Sequence, residues 1–568
     1  MGARQQVYRK TTSTPRTSVV CGGSVTIRAH ASDQGVPIAA KPSIARSTAM
    51  MSVSTMVSRL TGFVRTWAMA YALGLTAIAD SYDIANNLPN MLFELLAGGV
   101  LSSVFIPLFM EQLQKNGDED ASRFASYVLN IIVIVLGAVA LLGTIWPEPF
   151  VRTQTLTVSP EKALLATYLF RFFAVQIVFY GAGLVFTGVL NSYRKFLAPA
   201  IAPIFNNIVV TVVILGFYVP FRDTRPQLAI AALAVGTTLG VLAMAIVQIP
   251  SVFKVGFRYT ARIDWHHPAL KKVAVKMGPT LIYVVTNLVA VTFRTNFAMA
   301  TGDGGQAALR YAWQFYQLPY GIFAVALATA IFPELAERAS AKDWAGFKAM
   351  FARGFRSTAV LIIPLATMLA VLSRPIITLY RAGRFTAEDV PIVAGVLMWW
   401  AIGLFFFAAY MFVLKTFYSL QDTRTPMTTN IVATVIHVAL YAGLTTGAFG
   451  IPGLGIVGIP IADGIFFALH LTALTLLLRR KIGGFDLRGI ASALVRVLVA
   501  SAVGGVAAWS VLALTAPLAS GAGFLVQLAV AGVVGIGITY GVAAAIGVSE
   551  VRAGADRLRR LLARGKTA

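Results

Sequence analysis

In the stretch DSYDIANNLPNMLFE, the polar residues Asp80, Asp83, Asn87, Asn90 and Glu94 follow one another at intervals of three, four, three and four. That spacing puts all five on one face of a helix. A second series, Gln306, Arg310, Gln314 and Gln317, runs at four, four and three. Arg59 and Arg65 interrupt the apolar run before the first series, and Asn287 and Arg294 the run before the second. Asn287 and Arg294 are seven residues apart and share a helix face. Arg59 and Arg65, six apart, are separated by about 240° around a helix and share only a wide cavity face. Guanidinium groups gathered in one cleft bind phosphate oxygens through planar, bidentate donation. The carboxylates have two readings: partners that hold the arginines and fix the fold, or groups facing a water-filled cleft. Acid–base or nucleophilic catalysis is not indicated, because no paired acid and base, Ser-His-Asp set or metal-ligand spacing accompanies these residues. The protein therefore reads as something other than an enzyme.

These residues sit in a greasy chain. Of 568 residues, 57% are hydrophobic and 12% are charged, against about 25% charged in soluble domains. A membrane span needs about 20 apolar residues. Fourteen stretches of that kind occur near 49–74, 81–110, 123–146, 163–190, 197–218, 227–252, 273–300, 307–333, 352–378, 390–418, 427–447, 452–478, 490–514 and 521–547. Long unbroken runs, instead of ten-residue alternation, predict helices and exclude a barrel. A carboxylate at the bilayer centre costs at least ~2.5–3.5 kcal/mol. Glu94, well inside its span, is expected to face water or a partner, whereas Asp80 and Asp83 begin the span near its outer interface.

The net charge of +24 is placed as membrane topology requires. Lys and Arg gather in every second connection: Lys254 to Lys276, then Arg479, Arg480, Lys481 and Arg488, and finally the C-terminal tail. Connections near 75–79, 301–306, 447–452 and 515–520 contain none. The positive-inside rule puts both termini in the cytoplasm, and basic loops against an anionic leaflet replace nucleic acid as the explanation of the charge. The ninth connection dissents: it falls outside yet carries Arg374, Arg381 and Arg384. Cys21 is the single cysteine, His266-His267 lies in a basic loop, and no G-x-x-x-x-G-K-[ST] phosphate loop occurs. Residues 1–47 are polar and basic without the 7–15-residue apolar core of a signal peptide; they read as a disordered tail, with Met50 or Met51 an alternative start.

The chain also repeats itself. FVRTWAMA (63–70) answers TFRTNFAMA (292–300), FIPLFMEQL (105–113) answers IFPELAERA (331–339), and residues 172–199 align without a gap to 399–426. Six spans per half make a parallel repeat, an arrangement that places a substrate site between two bundles near the midplane. The expected division is a tail at 1–47, a first lobe at 48–253, a second at 254–487, two added helices at 488–548 and a basic tail at 549–568. The polar stripes then face a cleft between the lobes.

The combination SRLTGFVRTWAMAYALG, Asp80 before the second span, LPN, S-x-x-F-x-P, KMGP (276–279), QLPYGIFAVALATAIFP (317–333) and LYRAGRFTAED (379–389) resembles the MurJ/MviN lipid II flippases. The resemblance covers about residues 48 to 480. It implies the fold of the multidrug/oligosaccharidyl-lipid/polysaccharide exporter superfamily: two six-helix lobes in a V around a cationic cavity, with two further helices forming a lipid-facing groove. It also implies movement of undecaprenyl-pyrophosphate-linked disaccharide pentapeptide, lipid II, from the inner to the outer leaflet of the bacterial plasma membrane. In this family that step belongs to peptidoglycan and cell-wall biogenesis and hence to cell shape. No cofactor is implied. Coupling is to sodium, protons or the membrane potential, with membrane lipids and cell-wall synthesis proteins as further partners. Arg59, Arg65 and Asp80 match the family's charged cavity residues. Three positions depart from it: Phe93-Glu94 where relatives have an arginine pair, Trp313-Gln314 where some have Asp-Arg, and Gly98 where Glu is common. Arg294 and Arg310 are the candidates to replace the missing arginines. Competing readings are a flippase for another polyprenyl-linked glycan, an ion-coupled small-molecule antiporter, which would call for an acidic cleft without arginines, and a non-transporting scaffold.

Overall fold

The computed structural model describes residues 44–93, 105–156, 158–264, 285–450, 452–516, 522–554 and 556. The chain divides into two units, Met1–Thr48 and Ala49–Ala568. Of the first, residues 44–48 are helical; the architecture below is that of the second. Among the described residues there is no strand beyond the isolated bridge between Ala382 and Phe385.

In chain order the principal helices are α1 (Ile44–Leu73), α2 (Ala77–Phe93), α3 (Ile106–Ile145), α4 (Pro160–Phe173), α5 (Gln176–Ser192), α6 (Leu197–Phe221), α7 (Pro226–Lys254), α8 (285–300), α9 (Gly305–Ser340), α10 (Trp344–Val371), α11 (Asp389–Ser419), α12 (Arg424–Thr446), α13 (Gly458–Ile482), α14 (Leu487–Leu514) and α15 (Ala522–Ala545). Among the described residues ten helices are long and apolar enough to cross a membrane, or eleven when α4 and α5, bent by 42°, are one span. Fourteen were expected. The shortfall falls on α1, which carries Arg59 and Arg65, on α2, of which only 77–93 is described, and on the seventh segment, of which only 285–300 is described. The lipid-facing surfaces keep large apolar groups exposed, such as Leu141, Val435, Val506 and Val533, as a protein in hydrocarbon requires.

The repeat is written in the backbone. Arg194 and Gln421, 227 residues apart, both adopt φ 57°, and Gly256 and Gly483, again 227 apart, have φ 87° and 73°. Left-handed conformations are sparse outside glycine, so their recurrence at the offset of the sequence alignment marks equivalent helix ends. Gly117 (φ 84°) breaks α3 into two helices, and Lys342 (φ 57°) does the same between α9 and α10. Packing repeats as well: α3 on α5 matches α10 on α11, α6 on α7 matches α12 on α13, α5 on α7 matches α11 on α13, and α2 on α4 matches α9 on α11.

The added pair follows a different rule. α14 packs on α10, and α15 on α14, where Gly504, Gly535 and Ala508 let the backbones approach so closely that a Cβ on Gly504 would stand 2.4 Å from the Gly535 carbonyl oxygen. Small residues at such contacts give dispersion packing its full strength between helices in lipid. Beyond α15, Glu550 accepts from Arg356 Nε at 2.6 Å, tying the end of the pair back to α10.

Candidate functional site

The two halves meet through a network that starts at Asp80. Its carboxylate is fully enclosed and caps α9 from across the repeat. Oδ2 accepts the Gly304 N–H at 2.7 Å and Oδ1 the Ala307 N–H at 3.1 Å. An acidic group there satisfies donors that the helix leaves unpaired and meets the positive end of its dipole. Lys162 Nζ lies 3.4 Å from Asp80 and 2.6 Å from Asp303 and donates to the Gly302 carbonyl at 3.2 Å. Tyr311 donates its hydroxyl proton to the Gly74 carbonyl at 3.1 Å, and Leu156 N–H reaches Asn296 Oδ1 at 2.7 Å. Arg384 joins too: its N–H donates to the Tyr71 carbonyl and its guanidinium to Asp223, both at 2.9 Å. These bonds lie at the end of the molecule bearing the connections 75–79 and 301–306, which contain no Lys or Arg. Arg384 thereby accounts for part of the basic charge in the dissenting ninth connection, as a clasp instead of a topology signal.

Behind this latch lies a cavity of about 250 Å³ lined by Asp83, Asn86, Asn87, Arg294, Gln306, Leu309, Arg310, Trp313 and Trp400. Asp83 Oδ1 pairs with Arg310 Nη1, so the two polar stripes meet across the seam. The Arg310 guanidinium also sits 5.0 Å from the Tyr311 ring centre and 5.7 Å from that of Tyr82, held by cation–π attraction. Yet Arg310 Nε and Nη2, Arg294 Nε, Asp83 Oδ2 and Gln306 Oε1 are buried without hydrogen-bond partners among the described residues. A second cavity of about 200 Å³ shares Arg294, Trp313 and Trp400 and adds Asn287, Tyr316, Asn430, Thr434, His437, Tyr441 and Asp463. Arg294 stands in the wall common to both. Guanidinium donors left over inside a low-dielectric space have a high affinity for an anion with several oxygens. Among the described residues no group of three His, Cys, Asp or Glu could hold a metal ion.

The expected site residues thus separate. Asp83, Asn87, Arg294 and Arg310 line the first cavity and Asn287 the second. Asp80 is placed in the latch instead of on a cavity wall. Arg65 is aimed at Asn207, with Nη1 3.4 Å from Oδ1, and Arg59 lies against Gly321 of α9. Asn90 turns to the Asn86 carbonyl at 3.5 Å, and Gln317 donates to Gln314 at 3.2 Å; neither Asn90, Gln314 nor Gln317 reaches either cavity. Glu94 lies outside the described residues. Sequence reasoning passed over Lys162, His437, Tyr441, Trp400 and Asp463. The signal available was an isolated Asp in the apolar stretch 452–478 and an isolated His in 427–447, the same cue that singled out Glu94.

The family profile described as "Lipid II flippase MurJ" matches residues 69–530. The chain belongs to that family. A "Probable lipid II flippase MurJ" of Rhizobium meliloti is 31% identical over 439 residues, 74% of this chain and 78% of its own length. The "Lipid II flippase MurJ" of Burkholderia cenocepacia is 29% identical over 445 residues, 76% and 84% of the two chains. Among solved structures, a lipid II flippase MurJ in an "inward closed conformation" superposes with a TM-score of 0.69 at 24% identity, covering 86% of this chain and 98% of its own. An inward-facing multidrug resistance MATE family transporter of the MOP superfamily gives 0.63 at 13%, covering 77% and 98%. At these identities the structural matches speak for the fold, which the MurJ family shares with exporters of other cargo.

Proposed function

We propose that this protein flips lipid II, the undecaprenyl-pyrophosphate-linked disaccharide pentapeptide, from the inner to the outer leaflet of the bacterial plasma membrane. It acts by alternating access between the lobes 48–253 and 254–487, as a transporter and not an enzyme. Beyond family membership, one observation carries the reading: Arg294 and Arg310 bring guanidinium donors that have no acceptors among the described residues to cavities at the seam between the halves. A pyrophosphate supplies the oxygens they lack, the amides of Asn86 and Asn87 suit the sugars, and the polyprenyl tail stays in lipid beside the cleft. The termini lie in the cytoplasm, so the latch around Asp80 closes the outer end. Opening it exchanges the bonds to Gly304 and Ala307 for water. Ion gradients or the membrane potential drive the cycle.

Reconstitution into liposomes carrying a fluorescent lipid II in the inner leaflet tests this. Protein-dependent arrival of the label at the outer surface, weakened at least tenfold by Arg294→Ala at equal protein density, is the expected result. Transfer no faster than in protein-free liposomes would sink the proposal.

A further inference from the structure

Asp463, near the start of α13, is buried, and three side chains from two neighbouring helices converge on it. Trp400 Nε1 of α11 donates to Oδ2 at 2.7 Å, and the Tyr441 hydroxyl of α12 donates to Oδ1 at 2.5 Å. His437 Nε2, one turn before Tyr441, lies 2.8 Å from the same Oδ1. The tryptophan N–H has no acceptor capacity and the Tyr441 hydroxyl also donates; an ionised Asp463 can only accept, and opposite it the imidazole nitrogen is the donor, Nε2–H. The charge of His437 is then decided at Nδ1, the nitrogen turned away from Asp463. Aromatic packing fixes the ring in that orientation, stacked on Phe466 with centroids 3.9 Å apart and 4.3 Å from Tyr441. His437 and Asp463 both line the cavity that Arg294 shares with Asp83 and Arg310.

The other ionisable groups around the pair come from each packed helix: Arg294 of α8, Tyr316 of α9, Tyr410 of α11, Tyr441 of α12 and His470 of α13. Arg294 is the standing cation. Its charge bears on both Asp463 and Tyr441, and its Nε is buried without a partner among the described residues. His470 is occupied elsewhere, 3.2 Å from the Thr429 hydroxyl.

We propose that His437 and Asp463 form a proton-binding site that controls whether Arg294 is drawn to Asp463 or turned toward an anionic pyrophosphate. The proposal rests on the reading of the cargo as a lipid-linked pyrophosphate. With His437 neutral, the cluster keeps the carboxylate's negative charge and attracts the guanidinium. With His437 protonated at Nδ1, the imidazolium neutralises Asp463 from 2.8 Å away and Arg294 is released to the headgroup. Anion binding and proton uptake then reinforce each other, as linkage requires when two ligands favour one state.

The test uses the full-length protein in lipid nanodiscs, with farnesyl pyrophosphate as a soluble probe, by calorimetry between about pH 5.5 and 8, where a histidine changes charge. The probe's own phosphate titrates in this range, so the readout is the difference between wild type and His437→Gln. The glutamine amide keeps a donor toward Asp463 but takes up no proton. Wild type is expected to tighten by up to about tenfold per pH unit more than the variant, with about one extra proton taken up per probe bound. Asp463→Asn should abolish the same difference, and His470→Gln should keep it. A pH dependence in His437→Gln equal to that of wild type overturns the proposal. If the probe fails to bind wild type, the pyrophosphate reading falls, and acid titration without ligand decides the proton site by itself. One proton fewer in His437→Gln supports it, and identical titration curves refute it.

Discussion

Asp80 and Gly304 lie 224 residues apart and are joined by a 2.7 Å hydrogen bond that closes one end of the seam between the repeats. The bond is made by a carboxylate of the first half to the backbone at the N-terminus of a helix in the second. It places the strength of the latch on charge and on helix-end geometry. Asp80→Asn keeps an acceptor but loses the charge opposite Lys162 and the helix dipole; it should weaken the latch by about 1–2 kcal/mol. Asp80→Ala should weaken it more. Distance measurements between spin labels placed across the seam should show a larger open population for Ala than for Asn, and equal populations would argue against the cap.

Gly304 is the partner that geometry forbids to change. Its φ is 80°, and an added Cβ would stand 2.4 Å from Leu75 Cβ. Gly304→Ala should therefore open the same latch with the acid left intact, at a cost of about 1–3 kcal/mol. The same spin-label pair reports it, and an unchanged distance distribution would exclude this packing.

Asp83 and Arg310 make the buried ion pair of the cavity. Removing one partner leaves the other charged and unpaired, so Arg310→Ala should cost about 3–5 kcal/mol of thermal stability. The double variant Asp83→Leu, Arg310→Met should regain most of that stability while failing to transport, because the cavity has lost its donor. Thermal unfolding in detergent beside a flipping assay separates the two effects. A double variant that transports normally would remove Arg310 from the substrate site.

At the other end of the molecule, in the turn between α11 and α12, Asp422 sets an acid limit. Partial burial opposes its ionisation, but Lys481 at 2.5 Å and the Thr425 N–H and hydroxyl outweigh it, taking its pKa from the ordinary 3.8 to about 2. A depressed carboxylate stabilises the fold above its unfolded pKa, and this contribution is lost as pH falls from about 4 through about 2. With screening by solvent, Asp422→Asn should cost about 1 kcal/mol at neutral pH and only a small part of that by about pH 2. Stability curves of the two proteins that stay parallel down to that pH would contradict the assignment.

The fold was legible because its signals are local. Apolar runs mark the helices, and the 227-residue offset of the alignment returns in the backbone at Arg194 and Gln421. The pairing of the stripes was partly legible, since Asp83 and Arg310 each stood out as charges among apolar neighbours. Which residue would latch and which would line a cavity was not. Asp80 and Asp83 share a helix face within one turn, and only the position of α9 decides that one caps a helix end while the other meets a guanidinium. Asp463 and His437 were passed over because each is a single polar residue in its own span. Their 2.8 Å contact arises from the packing of α12 on α13, which spacing along one helix does not encode.

Lipid II movement through the arginine-lined seam is tested most directly in a bacterium whose own lipid II flippase can be shut off. The chain is expressed there, membrane abundance is matched, and lipid II exposed on the outer face is measured. Restored exposure is expected with wild type, and its loss with Arg294→Ala and with Arg310→Ala. Wild-type protein inserted at normal abundance with no exposed lipid II, or full exposure with both arginines replaced, would contradict that role.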